Sequence, residues 1–381
     1  MPSSSTQGAA GAYQYPSGHL GHLSPSQQAS FDQFKQLCTD RKAYSPTGHG
    51  PKGDLPSTDD VALLRFLRAR RFDLEGAFKQ FKDTEEWRKE NDIEGVYRWI
   101  DREEYESTRR LYPQWIGRRD KRGVPVYVFE VGNLNSKDIA AYEQATSLKG
   151  TPSSYTGKTP AKLLRLFALY ENLTNFALPF LTSATDRPYA DVTPISQSNN
   201  IVDISGVGLK QFWDLKTHMQ DASTLATAHY PETLDRIFII GAPSFFPTVW
   251  SWIKKWFDPI VVSKMFILSD AEVLPTLSDF MEIQDIPKKY GGQLDYTFGQ
   301  MPNLAAGGMG EMVEWAEGME KGMLPAGPIK WERAENGDMV MVNVGSVGGV
   351  EKRDVIGTVK RQWEEVLFPG RKSRRNRGRE R

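Results

Sequence analysis

Cysteine is almost absent: Cys38 is the only one in 381 residues. No internal disulfide can form, and a reducing compartment is expected. The first thirty residues carry no Lys or Arg, and no apolar stretch follows them. A secretory signal and an Arg-rich transit peptide are therefore both disfavoured, and this Ser/Gln/Gly/Pro-rich segment is expected to be disordered. Long hydrophobic runs are missing too. The most apolar stretch, 163–181, is interrupted by Arg165, Glu171, Asn172, Asn175 and Pro179, so no transmembrane span is expected and membrane contact is peripheral.

Net charge is absent as well, with 48 basic against 48 acidic residues, which gives no argument for nucleic acid. The tail 371–381 (RKSRRNRGRER) takes seven of the basic residues and one acidic, leaving a formal −6 on the other 370. It reads as a disordered, solvated run, with attraction to anionic lipid or RNA as the rarer alternative. Catalytic signatures are scarce. There is no G-x-S-x-G elbow and no Walker A loop. SGVGLKQ has Gln211 where a dinucleotide fingerprint needs its third glycine, so it reads as a tight strand-to-helix turn. The five histidines, His19, His22, His49, His218 and His229, have no H-E-x-x-H or cysteine partner, and no metal site is expected.

What is present is a change of period. Ser57 with Asp60 makes a capping-box-like start for VALLRFLRARRF, and Asp73 caps a second helix through Trp87. A further helix is expected over 105–112. The apolar runs 125–132, 200–206, 236–242 and 264–270 then read as strands buried on both faces. Helical stretches 160–181, 209–229 and 248–257 lie between them. This alternation predicts a mostly parallel open sheet with crossover helices behind a helical N-terminal lobe. Beyond 298 come a Gly/Met-rich loop, a strand over 338–345 and a last helix near 359–367. Helix 160–181 is apolar nearly all round, which fits either packing on every side or one face lining an apolar cavity.

Segment 247–259, PTVWSWIKKWFDP, concentrates three of the ten tryptophans. At helical pitch Val249, Trp250, Trp252, Ile253, Trp256 and Phe257 fall within an arc of about 160°. Such a face suits either a core or a membrane interface.

Six collinear motifs bear on that choice: RFLRARRFD (65–73), YPQ…DKRGVPVY (112–127), VDISG (202–206), HYPET…IFIIGAP (229–243), FDPIVVSKMFIL (257–268) and IPKKYGG (286–292). Together they resemble the CRAL-TRIO lipid-binding family over about residues 57–298, and more closely its fungal phosphatidylinositol/phosphatidylcholine transfer branch, the Sec-fourteen type. The resemblance implies a helical lobe (31–98), a lipid-binding domain (104–298) enclosing one phospholipid, an extension (299–370), and PTVWSWIKKWF as a mobile gate helix touching the membrane through Trp250, Trp252, Ile253, Trp256 and Phe257. It implies non-catalytic phospholipid exchange between membranes in phosphoinositide signalling and vesicle trafficking. The chain would be a cytoplasmic monomer, peripheral on Golgi or endosomal membranes, with no cofactor beyond bound phospholipid and a phosphoinositide kinase as a further partner.

Carried over residue by residue, the inositol site comprises Arg70, Arg71, Asp120, Glu232 and Lys264, and the choline site Tyr127, Ser198 and Tyr230. Four positions depart from the family pattern: Val261 replaces a threonine, Thr233 an arginine, Ile116 a tyrosine and Ala226 a small hydroxyl residue. Two other readings of the same fold stay open. One is a haem or other hydrophobic-cofactor binder with His229 or Tyr230 on the iron. The other is a lipid-sensing adaptor for a lipid kinase.

Overall fold

The computed structural model describes residues 15–47, 57–134, 136–144, 147–149, 151–152, 155–256, 259–305, 307–334 and 338–359. Order begins earlier than the composition implies. Residues 15–24 form packed turns, and Ser24 caps helix α1 (Pro25–Asp40) through a capping box with Gln27. The expectation of disorder through residue 30 is thus corrected, because His19, Leu20, Phe31 and Phe34 are buried. Helix α2 (Asp60–Ala69) is capped by Asp59, whose side chain accepts from Ala62 N, rather than by Ser57, whose hydroxyl accepts from Ser45 N. Helices α3 (Leu74–Glu90), α4 (Ile93–Trp99) and α5 (Arg102–Arg109) complete the N-terminal layer. Asp73 stands at the N-cap of α3 but makes no side-chain capping bond.

Strand β1 (Gln114–Arg119), which the sequence pattern did not mark, pairs antiparallel with β2 (Pro125–Glu130). Helices α6 (Ser136–Gln144), α7 (Ala161–Asn172) and α8 (Leu178–Thr182) lead to β3 (Ser198–Asp203). Between α7 and α8 the backbone widens into a π turn over Leu173–Ala177. Pro179 has no N–H to continue an α ladder, so the helix resets there. Helices α9 (Leu209–Asp214) and α10 (Lys216–His229) precede β4 (Leu234–Ile240); α11 (Phe246–Ile253) and α12 (Pro259–Ser263) precede β5 (Met265–Ile267). The sheet order is β1-β2-β3-β4-β5, and β2 to β5 are parallel. Strand alternation sends Val126, Val128, Ile201 and Phe238 to one face, under helix α13 (Asp270–Phe280), where Val273 and Leu277 meet them. The other face carries Tyr127, Phe129, Val202 and Ile239 toward α7 and α10.

The C-terminal region is part of the same body. Strands β6 (Val313–Trp315), β7 (Ile329–Arg333), β8 (Met339–Asn343) and β11 (Asp354–Val359) form an antiparallel sheet, with a small hairpin of β9 (Ser346–Val347) and β10 (Val350–Glu351) beside it. Trp331 lies 5.7 Å from the Phe176 ring and donates its Nε1–H to the Phe176 carbonyl in the π turn at 3.3 Å. Val359 ends a strand rather than opening a helix; 360–367 and the basic tail lie outside the described residues.

Candidate functional site

A cavity of about 430 Å³ lies between the sheet and helices α7, α9, α10 and α11. Its walls are mainly apolar, with Phe129, Leu166, Leu173, Phe212 and Ile239 among them. Phe246 and Trp250 line it beyond the C-terminal end of β4, while Ser198, Glu232, Thr233 and Lys264 lie near the N-terminal ends of β3, β4 and β5. Seven residues of β4 span the interval, about 20 Å at strand rise.

The polar corner is an ion cluster. One oxygen of Glu232 (Oε2) faces Arg68 Nη2 at 3.3 Å and Lys264 Nζ at 3.6 Å, and Lys264 also donates to the Leu234 carbonyl at 2.8 Å. Burial pulls the Lys264 ammonium below its usual range even with Glu232 beside it. Arg70, the C-cap of α2, reaches the same wall; Arg71 is exposed in a left-handed conformation (φ 52°) and does not line the cavity.

Asp120 lies elsewhere. It closes the β1–β2 turn, accepting from the backbone N–H groups of Arg122 and Val124, from the Arg122 guanidinium at 2.5 Å, and from Asn199 Nδ2 at 2.9 Å. Burial pushes its carboxyl up against the pull of Arg122. Of the five inositol-site residues, Arg70, Glu232 and Lys264 thus share the cavity wall, while Asp120 and Arg71 do not line it.

Of the choline set, Tyr127, Ser198 and Tyr230 all line the cavity. Ser198 Oγ donates to the Thr233 carbonyl at 3.2 Å and accepts from Asn200 Nδ2 at 3.5 Å. Tyr230 offers its ring, stacked on Tyr170 at 4.8 Å, but not its hydroxyl, which goes to Glu171 Oε1 at 2.5 Å. Glu171 is held in turn by both Arg88 Nη1 and Nη2. Burial raises the Glu171 carboxyl, and Arg88 with Tyr230 outweighs it, so the group stays ionised below its usual range.

The departures sort by position. Ile116 faces the α13 side with Val126 and Val128, so its replacement of tyrosine costs the cavity nothing; Ala226 does line the cavity. Thr233 Oγ1 donates to the Tyr230 carbonyl, tying its turn. The Val261 side chain lies outside the described residues.

The aromatic helix divides. Phe246 and Val249 are buried and Trp250 lines the cavity, whereas Trp252 is 46% exposed and meets the equally outward Trp213 at 5.9 Å. A single face covering the cavity is thus corrected: α11 runs only to Ile253, and a tighter 3₁₀ turn (Lys254–Trp256) takes over from it and changes the pitch. The side chains of Ile253 and Trp256, and all of Phe257, lie outside the described residues. His229 is packed on Trp87 at 4.6 Å with Nδ1 against Thr84 Oγ1, and it does not line the cavity.

Residues the motifs did not flag are Arg68, Arg88 and Glu171. The signal for Glu171 was in plain view, since a carboxylate inside an apolar helix needs a buried cation.

An apolar cavity with a cationic corner defines a class of protein that takes up a small amphipathic molecule. The CRAL/TRIO domain matches residues 109–292 and the CRAL/TRIO N-terminal domain matches residues 30–83. The chain is 30% identical over 278 residues to the Sec14 cytosolic factor of Schizosaccharomyces pombe, covering 73% of this chain and 86% of that one. It is 29% identical to the SEC14 cytosolic factor of Kluyveromyces lactis, covering 74% and 84%. A protein of Arabidopsis thaliana named phosphatidylinositol/phosphatidylcholine transfer protein SFH7 is 30% identical over 62% of this chain and 40% of its own. The crystal structure of Sfh5 superposes with a TM-score of 0.51 at 17% identity, covering 72% of this chain and 90% of that one, and bears on the fold alone. The chain belongs to the CRAL/TRIO family, in its Sec14-like branch.

Proposed function

We propose that the chain binds one phospholipid, phosphatidylinositol or phosphatidylcholine, and exchanges it between membranes without catalysis. One observation carries this reading: an apolar cavity joins the Arg70–Glu232–Lys264 corner to the Phe246–Trp250 lid. Arginine and lysine suit a phosphate, and a carboxylate accepts inositol hydroxyls. The Tyr127 ring and the stacked Tyr230–Tyr170 pair suit a quaternary ammonium.

Magnitudes favour exchange at a docked membrane. A diacyl lipid carries about 30 methylenes, and at about 0.8 kcal/mol each their passage through water costs over 20 kcal/mol. The chains must pass from bilayer to cavity directly, and α11 is the element placed to open. Among the described residues no helix is long and apolar enough to cross a membrane, so the contact we propose is peripheral. Golgi or endosomal membranes and delivery to a phosphoinositide kinase belong to the same reading, with the protein acting as a monomer. For haem, Tyr230 has committed its hydroxyl to Glu171 and His229 is not on the cavity wall, so no observation favours that alternative.

Mass spectrometry of lipid co-purifying with the protein, with vesicle-to-vesicle transfer of labelled phosphatidylinositol and phosphatidylcholine, tests the proposal. A lipid-free protein that moves neither label would overturn it.

A further inference from the structure

Strands β6 to β11 lie beyond both stretches that match the family, residues 30–83 and 109–292. They nevertheless pack against the back of the lipid cavity, and they do so at the π turn. That turn, Leu173–Ala177, winds wider than an α-helix and shifts the side chains after it off the register of α7. Leu173 lines the lipid cavity, whereas Phe176 and Phe180 meet the Trp331 ring of β7 at 5.7 and 6.4 Å. The Trp331 N–H bond to the Phe176 carbonyl fastens the turn to the strand. A second fastening lies beside it, where the Tyr97 hydroxyl donates to the Ile329 carbonyl and accepts from Asn172 Nδ2 at 3.2 Å.

A second cavity, of about 50 Å³, occupies this seam. Met301, Leu324 and Ile329 of the C-terminal region form part of its wall. Pro113, Tyr127 and Leu169 form another part, and these three line the lipid cavity as well. Tyr127 and Leu169 are thus a partition with the lipid space in front and a smaller space behind. Such a space gives a ring room to move that a close-packed core denies.

Resting on the lipid-carrier reading above, with Tyr127 and the Tyr230–Tyr170 pair as the wall for a quaternary ammonium, we infer that Trp331 is a positioning residue for the choline lipid. By holding β7 against the π turn it fixes the depth of the second cavity, and hence how far Tyr127 stands into the first. The Arg70–Glu232–Lys264 corner lines the lipid cavity but not the second one. Loosening the seam therefore falls on phosphatidylcholine more than on phosphatidylinositol, and the C-terminal strands set the preference between the two.

The full-length chain carrying Trp331→Leu is compared with the unaltered chain by transfer of labelled phosphatidylcholine and phosphatidylinositol between vesicles, with thermal unfolding alongside. The expected result is a phosphatidylcholine-to-phosphatidylinositol ratio lowered at least about threefold, as the loss of one neutral hydrogen bond would give. Trp331→Phe keeps an aromatic ring and loses the N–H, so its ratio should fall by less. Ile329→Val takes one methylene from the wall of the second cavity and should move the ratio in the same direction. A less stable Trp331→Leu chain with an unchanged or raised ratio overturns the inference. If that chain does not fold, Trp331→Phe and Ile329→Val decide by the same ratio. Coupling is reciprocal, so choline lipid must tighten the seam in turn. Hydrogen exchange across 329–333 should be slower with phosphatidylcholine loaded than with phosphatidylinositol, and equal rates overturn the inference. An unaltered chain that transfers neither lipid sinks the carrier reading itself, a result distinct from all of these.

Discussion

Tyr230 and Glu171 share a 2.5 Å hydrogen bond beneath the cavity wall, with Arg88 gripping the same carboxylate. The tyrosine at the lipid wall is thereby fixed from behind by the N-terminal lobe, since Arg88 belongs to α3. Its hydroxyl is structural; only its ring is available to a ligand.

Tyr230→Phe should therefore cost about 1.5–3 kcal/mol of stability, the worth of a buried hydrogen bond to a charged group, while phosphatidylcholine transfer falls little. Glu171→Gln should cost more, about 3–5 kcal/mol, because it strands a largely buried arginine. Thermal unfolding beside transfer assays checks both. A Tyr230→Phe chain of full stability that has lost choline-lipid transfer would return the hydroxyl to the ligand.

At the cationic corner, Arg70→Ala with Lys264→Ala should abolish phosphatidylinositol transfer and leave phosphatidylcholine transfer measurable. Equal loss of both would show that the corner does not read the head group. The readout is the ratio of the two transfer rates, which an effect on folding alone would not move.

The divided faces of α11 predict a divided outcome. Trp252→Ala, at an exposed position, should change stability by no more than about 0.5 kcal/mol. It should nonetheless slow vesicle transfer, because an outward indole flanked by Lys254 and Lys255 suits the headgroup region of a bilayer. Trp250→Ala should cost both stability and lipid retention. Hydrogen exchange across 246–253 should be faster than across β4 and should change on adding vesicles; slow exchange unaffected by vesicles would make α11 permanent core.

Acid should loosen the packed segment 15–23. Burial, with Arg68, Lys264, Arg122 and His22 adding to it, lowers His19 from 6.5 to about 2. His19 must therefore stay neutral to remain docked. Docking is at full strength above pH 6.5 and weakens as pH falls from there toward 2, by at most about 1.4 kcal/mol per pH unit. Between pH 7.5 and 5.5 protease access to 15–23 should rise about tenfold. His19→Gln should flatten that profile; a profile equally steep without the imidazole would assign the effect to another group.

Much of this body was legible in the sequence because parallel strands buried on both faces must be continuously apolar, as PVYVFE and LDRIFII nearly are. Strand β1, QWIGRR, was not legible, since its arginines are satisfied by tertiary partners: Arg119 by Asp186 and Arg118 by Asp285. The packed segment 15–23 was hidden for a different reason. Its Ser, Gly and His composition is that of a loop, and only burial against Val192, Ser196 and Arg68 orders it. Motif residues located the Glu232–Lys264 corner, but Arg68 meets Glu232 across 164 positions, a pairing no local pattern encodes. Asp120 shows the converse, a motif position spent on closing a hairpin.

Gly241, where β4 hands over toward α11, has φ +69°, and a Cβ there would fall 1.9 Å from Ser205 Oγ. Drift in sequence is thus distributed unevenly around the lid. The outward surface at Trp252 can exchange one amphipathic side chain for another as membranes differ between organisms, without disturbing the packing beneath. Position 241 has no such latitude: any side chain there meets both a disfavoured backbone region and an occupied site. A lineage adapting to a new lipid surface would rewrite the exterior of α11 and leave Gly241 untouched.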